Sequence, residues 1–156
     1  MSILIESEAK QISNEILILQ ERLARLQLKN PWHPTQKLTK TIREEHYGIY
    51  RILLCGAVSP VVYIGMGNIN SRRRRHVTVF ENGGKADVSE NGSSSDSRVA
   101  AKMYKHDSNI NSWEMDFLVV DRDIDRYVAN GTMMKMESIL YEQFKPIYCV
   151  EHMVGK

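Results

Sequence analysis

Two short runs of β-forming residues, Tyr47–Cys55 and Val61–Ile64, are separated only by Gly56-Ala57-Val58-Ser59-Pro60. Tyrosine, isoleucine, leucine and valine suit a pleated, half-buried surface, while glycine and proline supply the reversal, so the segment reads as a β-hairpin. A hairpin alone buries too little surface to stand in water. The chain must therefore add at least one strand and cover the faces. Trp113–Val120, rich in aromatic and β-branched residues, is the candidate third strand.

The covering elements read as helices. Asn68 is a good N-cap, and Ile69, Arg73, Val77 and Phe80 share one stripe of a helix running to about Phe80. Arg98–His106 predicts a short helix, and Met133–Lys145 a longer one ended by Pro146. Residues 81–97 are polar and rich in glycine and serine, which predicts a mobile loop, and Asp121–Asp125 is a charged turn. The expected fold class is α+β (mixed α/β): a small three-stranded antiparallel sheet flanked by helices, with an N-terminal helical extension.

That extension occupies residues 1–30. Ile5, Ala9, Ile12, Ile16, Leu19, Leu23 and Leu26 recur at alternating spacings of four and three, the seam of a heptad repeat, until Asn30 and Pro31 stop it. Leu17 and Ile18 widen the apolar surface. Such a helix either packs on its own domain or pairs with a second copy as a homodimer. Residues 31–46 read as a linker, and 47–156 as the main domain.

With 156 residues, 42% hydrophobic and 26% charged, the chain excludes wholly disordered, collagen-like and membrane-embedded classes. Its start has no basic region followed by a continuous apolar stretch, and no apolar run approaches the ~20 residues of a membrane span. A cytoplasmic location is expected. Cys55 and Cys149 read as reduced core thiols. Lys and Arg number 21 against 19 Asp and Glu, so a nucleic-acid partner requires local rather than global basic charge.

Local charge occurs at Arg72, Arg73, Arg74 and Arg75, just after the hairpin and next to His76. The hairpin strands themselves carry Gly48-Ile49-Tyr50 and Tyr63-Ile64-Gly65. Further on, Glu137 stands on the last helix with Pro146 nine residues beyond it. In this order the landmarks resemble the GIY-YIG nuclease family, over roughly Tyr47–Cys149, about two-thirds of the chain.

The resemblance implies a divalent-metal-dependent endonuclease acting on double-stranded DNA. Tyr50 would orient or deprotonate a water, Tyr63 would support it through the phosphate, and Glu137 would hold one Mg²⁺ or Mn²⁺. Hydrolysis of a phosphodiester also needs a charge stabiliser, and a helix arginine with the nearby His76 meets that need. Counting ten residues from Tyr63 selects Arg73, whereas helical geometry selects Arg72, four residues before His76 and beside the apolar stripe rather than on it. Arg74 and Arg75 would contact flanking phosphates. Glu142, five residues past Glu137, reads as solvated.

Two positions depart from the family pattern. Met66 stands where a lysine is common, leaving His46 or His76 to assist the tyrosine, and Cys149 replaces an asparagine. The alternative class is a catalytically weak DNA-binding or adaptor module on the same scaffold.

Overall fold

The computed structural model describes residues 3–85, 88–89, 92–93, 95–120 and 123–148. Along the chain run α1 (Ile3–Gln27), β1 (Gln36–Lys37), β2 (Tyr47–Leu54), β3 (Val61–Asn68), α2 (Ile69–Glu81), β4 (Val88–Ser89), β5 (Gly92–Ser93), α3 (Ser95–His106), β6 (Trp113–Val119) and α4 (Arg126–Phe144). The hairpin forms from β2 and β3, and β2 also pairs with β6 on its other edge.

The main sheet has four antiparallel strands in the order β1-β6-β2-β3, not the three expected. The extra strand comes from the segment read as a linker. Gln36 and Lys37 lie opposite Met115 and Glu114, the His33 N–H donates to the Phe117 carbonyl, and the Leu38 N–H to that of Trp113. These bonds satisfy β6 backbone groups that an open edge would leave to water. Buried Leu38 and Ile42 hold the segment down. A separate two-stranded pair joins β4 to β5. These strands and Glu81 fall within the expected mobile loop, parts of which lie outside the described residues, as does Cys149.

Alternation along the strands sorts the core into two faces. Tyr50, Ile52 and Tyr63 meet Ile69 and Phe80 of α2 and Val99 and Met103 of α3. Ile49, Ile64 and Leu118 meet Met133, Met136 and Leu140 of α4 and Ala24 of α1. Arg51 lies on this second side, its guanidinium 3.9 Å above the Trp32 ring and paired with Asp116. Between Ile52 and Leu53 the register slips, because Ile52 faces Tyr63 while Leu53 faces Val61. Val62 is thereby skipped, and Val62 and Tyr63 both enter the first core.

The helix signals hold at α2, where the Asn68 side chain accepts from the Ser71 N–H at 3.0 Å. They also hold at the end of α4, where Lys145 adopts a left-handed conformation (φ 46°) directly before Pro146. α4 begins seven residues earlier than Met133, capped by Asp125. Gly131 inside it argues against helix by propensity. A Cβ there would meet only the amide end of the Gln20 side chain of α1, at 2.9 Å, which can shift aside.

Cys55 is exposed rather than in the core, and its thiol donates to Glu114 at 2.7 Å. α1 buries only Ala24 and Gln27. Seam residues Ile12, Ile16, Leu19 and Leu26 are 49–59% exposed. The helix thus docks by its C-terminal end and leaves most of its apolar seam in water. No helix among the described residues is long and apolar enough to cross a membrane.

Candidate active site

The two motif tyrosines do not face each other directly. Tyr50 lies opposite Gly65, and Tyr63 lies opposite Ile52. Their rings meet on the diagonal, with centroids 6.0 Å apart. Gly65 makes this possible, because a Cβ at that position would land on the Tyr50 ring and hydroxyl. Gly48 serves the backbone instead, since a Cβ there would overlap the carbonyl of Leu118 and block the approach of β6 to β2. The glycines of the two tripeptides are thus space-makers, one for a side chain and one for a strand.

α2 then brings up its cationic face. Arg72 and His76 are one turn apart and point toward the tyrosines. His76 is fully buried, with its ring centroid 6.1 Å from that of Tyr50 and 5.9 Å from that of Tyr63. Arg73 is turned away: its guanidinium donates to the Leu38 carbonyl at 3.1 Å and to Asn70 at 3.4 Å. Arg72, not Arg73, therefore joins the tyrosines. Arg74 and Arg75 are exposed and line a cavity of about 390 Å³ with Ser71, Thr78, Val79 and Ser97. On the other flank Arg72 lines a larger groove of about 980 Å³ with Tyr47, Met66, Gly67 and Arg126. His46 packs on His33 and Phe117 and pairs with Glu44, so of the two histidines it is His76 that lies against both tyrosine rings.

At the centre sits a residue from the segment expected to be a polar loop. α3 starts at Ser95 rather than Arg98, and its first turn delivers Asp96, 1% exposed. Tyr50 donates to Asp96 Oδ1 at 2.5 Å and Arg72 to Oδ2 at 2.7 Å. The Tyr63 hydroxyl is 3.4 Å from Oδ1, Arg75 3.6 Å from Oδ2, and His76 Nε2 3.6 Å from Oδ1. The last distance is an ion-pair contact too long for a hydrogen bond. The sequence signal for this residue is an acidic side chain just before an apolar helical run, which marks a first turn. Nothing local gives its direction.

Glu137 stands on α4, which packs on the other face of the sheet, within electrostatic reach of Asp96, Arg72 and Tyr63. It is 3% exposed on α4, bordered by Met133, Met136 and Leu140. One turn on, the Tyr141 hydroxyl donates to the Ile64 carbonyl at 2.8 Å, which fixes the roll of α4 on β3. Glu142 is exposed, as expected.

Burial and charge set the protonation pattern. Burial would push Asp96 up, but His76, Tyr50 and Arg72 outweigh it and hold the carboxyl well below its ordinary range. Burial first, then the Asp96 charge, raises Glu137 to about 7, with Arg72 opposing. Both tyrosines are pushed above their ordinary value, chiefly by burial, with Asp96 adding to each.

Among the described residues no group of three or more His, Cys, Asp and Glu side chains is placed to hold a metal. A single carboxylate nonetheless fits Mg²⁺ or Mn²⁺, which retains waters and completes its shell with substrate oxygens. Glu137, buried and short of positive partners, is a carboxylate that a cation would stabilise.

No family model, no curated protein and no solved structure matches this chain.

Proposed function

We propose that the chain is a divalent-metal-dependent endonuclease of the GIY-YIG type, hydrolysing phosphodiester bonds of double-stranded DNA in the cytoplasm. One observation carries the reading: Tyr50, Tyr63, Arg72 and His76, from two strands and a helix, converge on one buried point. A protein does not gather two phenols, an imidazole and a guanidinium around one buried point for stability, since each polar group costs desolvation.

In the proposed reaction Tyr50 orients the attacking water. As the water oxygen bonds to phosphorus, the phenol oxygen accepts the water's proton and passes its own to a ring nitrogen of His76. Tyr63 positions the scissile phosphate. Arg72 neutralises charge on its non-bridging oxygens as the bond to the leaving oxygen breaks. His76, packed on both rings, assists Tyr50 in place of the lysine absent at Met66. Glu137 would hold the single Mg²⁺ or Mn²⁺, which when bound supplies further positive charge at the phosphate. Arg74 and Arg75 would contact phosphates beyond the cut, from the cavity that they line.

Supercoiled plasmid incubated with the protein and Mg²⁺ is expected to be cut, and Glu137→Ala or Tyr50→Phe to abolish cutting. The metal requires the carboxylate of Glu137, which a proton blocks up to about pH 7. Apparent metal affinity should therefore fall about tenfold per unit as pH drops below 7 and level off above it. A metal affinity flat from pH 5.5 to 8 would remove Glu137 as the ligand.

The filled centre of the cluster favours one competing reading, a DNA-binding module without activity. Tight binding with no cutting under any metal would establish it.

Cutting both strands of a duplex calls for two sites, and the exposed seam of α1 offers a way to pair them. Burying four branched aliphatic side chains per helix contributes on the order of 1.5–3 kcal/mol each before ordering costs. Sedimentation equilibrium should show a dimer that Ile12→Lys with Ile16→Lys converts to monomer. A strictly monomeric profile at high concentration, with and without DNA, sinks the pairing.

A further inference from the structure

We propose that the Asp96 carboxylate occupies the seat of the scissile phosphate, as an internal anion that must leave before DNA can be cut. The inference rests on reading this cluster as a phosphodiester site.

Geometry supplies the first argument. A carboxylate and a phosphodiester both present two oxygens sharing one negative charge, and an arginine receives either in the same way. Asp96 engages the two groups assigned to the scissile phosphate, Arg72 at 2.7 Å and Tyr63 at 3.4 Å, and the one assigned to the attacking water, Tyr50 at 2.5 Å, with Arg75 and His76 both at 3.6 Å. A second anion cannot share that seat, because like charges at contact distance repel strongly in a buried place.

Access supplies the second. Tyr50, Tyr63, His76 and Asp96 are each no more than 2% exposed, so DNA cannot reach the tyrosines while Asp96 is in place. Arg72 is half-buried and opens toward the larger groove, so the cluster adjoins a surface that a duplex can approach. The imidazole nitrogens of His76 are buried without a hydrogen bond, the nearest anion being Asp96 Oδ1 at 3.6 Å.

The third argument concerns release. Asp96 belongs to the sheet in no way; it is carried on the first turn of α3. Besides Asp96 and Ser97, which are buried in its first turn, that helix is anchored by Val99, Ala100 and Met103 further along it. The later anchors let the helix stay docked while its first turn opens, and the incoming phosphate replaces the bonds that Asp96 gives up. The charge balance is restored when the DNA phosphate enters the same cationic pocket.

The test compares the full chain with Asp96→Asn, using inorganic phosphate as the first probe and plasmid DNA as the second. Calorimetry should show Asp96→Asn binding phosphate at least about tenfold more tightly than the wild type. Plasmid cutting in Mg²⁺ should be as fast or faster in the variant. Equal phosphate affinity, or a variant that loses both phosphate binding and cutting, would overturn the proposal and leave Asp96 as a positioning residue. A gain in phosphate affinity while neither protein cuts DNA upholds the internal anion and rejects the nuclease reading. Should the variant not fold, hydrogen exchange on the wild type decides. The amides of Val99 to Lys102, whose helical acceptors are the first-turn carbonyls of α3, should lose protection when an uncut duplex is bound in Ca²⁺, and unchanged protection refutes displacement.

Discussion

If the chain is the nuclease proposed above, replacing Arg72 by alanine is expected to lower DNA cleavage by on the order of 10²–10³ and to cost stability as well. Replacing Arg73 is expected to lower stability and spare cleavage. Arg72 reaches the buried centre of the site, donating to Asp96 at 2.7 Å, while its own side chain is about one-third exposed. Its loss removes charge stabilisation at the site and leaves the buried Asp96 carboxylate without its nearest cation, which is destabilising in itself. Arg73 is 6% exposed and ties α2 to the β1 segment through the Leu38 carbonyl. Its removal strands a buried acceptor, which costs about 1–3 kcal/mol. For a chain of this size that lowers the melting temperature by roughly 2–4 °C per kcal/mol. Melting curves beside plasmid cleavage check both halves. Normal melting with lost cleavage in Arg73→Ala would reverse the assignment of the catalytic arginine.

The motif glycines should separate in the same manner. Gly48→Ala is expected to prevent folding, because the added Cβ meets the backbone of Leu118 and β2 is the strand shared by β3 and β6. A backbone carbonyl in a central ladder has nowhere to go. Gly65→Ala is milder for the fold and severe for the site. Its Cβ meets the Tyr50 ring, which can swing aside at about 1–3 kcal/mol, losing its hold on Asp96 and its place beside Tyr63. Cleavage should then be lost in a protein that still melts cooperatively. Gly56→Ala is the control: the position has open space and φ 76°, so only about 1–2 kcal/mol of backbone strain is expected. Gly65→Ala with full activity would show that Tyr50 does not work from the position described.

Much of the site was legible because its signals are local. Tyr50 and Tyr63 fall on adjacent strands because β-forming runs flank a short turn, and Asn68 starts α2 by capping it. The choice between Arg72 and Arg73 follows from helical spacing, since the residue on the apolar stripe with Ile69 and Phe80 had to face the core. The diagonal meeting of the tyrosines was not legible: it depends on Gly65 lying opposite Tyr50 and on the register slip near Val62.

Other features escaped for the same reason. β1 is two polar residues that form a strand only because β6 offers an edge and Leu38 finds a buried seat. Cys55 sits among apolar neighbours in sequence, yet lies at the exposed end of the hairpin against Glu114. Asp96 is 46 residues from Tyr50 and 24 from Arg72 along the chain.

The amino-acid sequence by itself determined the hairpin, the third strand, the presence of the four helices, the Asn68 cap and the residue types available for chemistry, because periodicity, turn residues and helix stops act within a few positions. Only the tertiary structure decided that β1 joins the sheet, that the seam of α1 stays exposed and that a carboxylate from α3 fills the cationic centre. Those outcomes depend on contacts between segments far apart in the chain, where burial and charge compensation rather than local propensity select the arrangement.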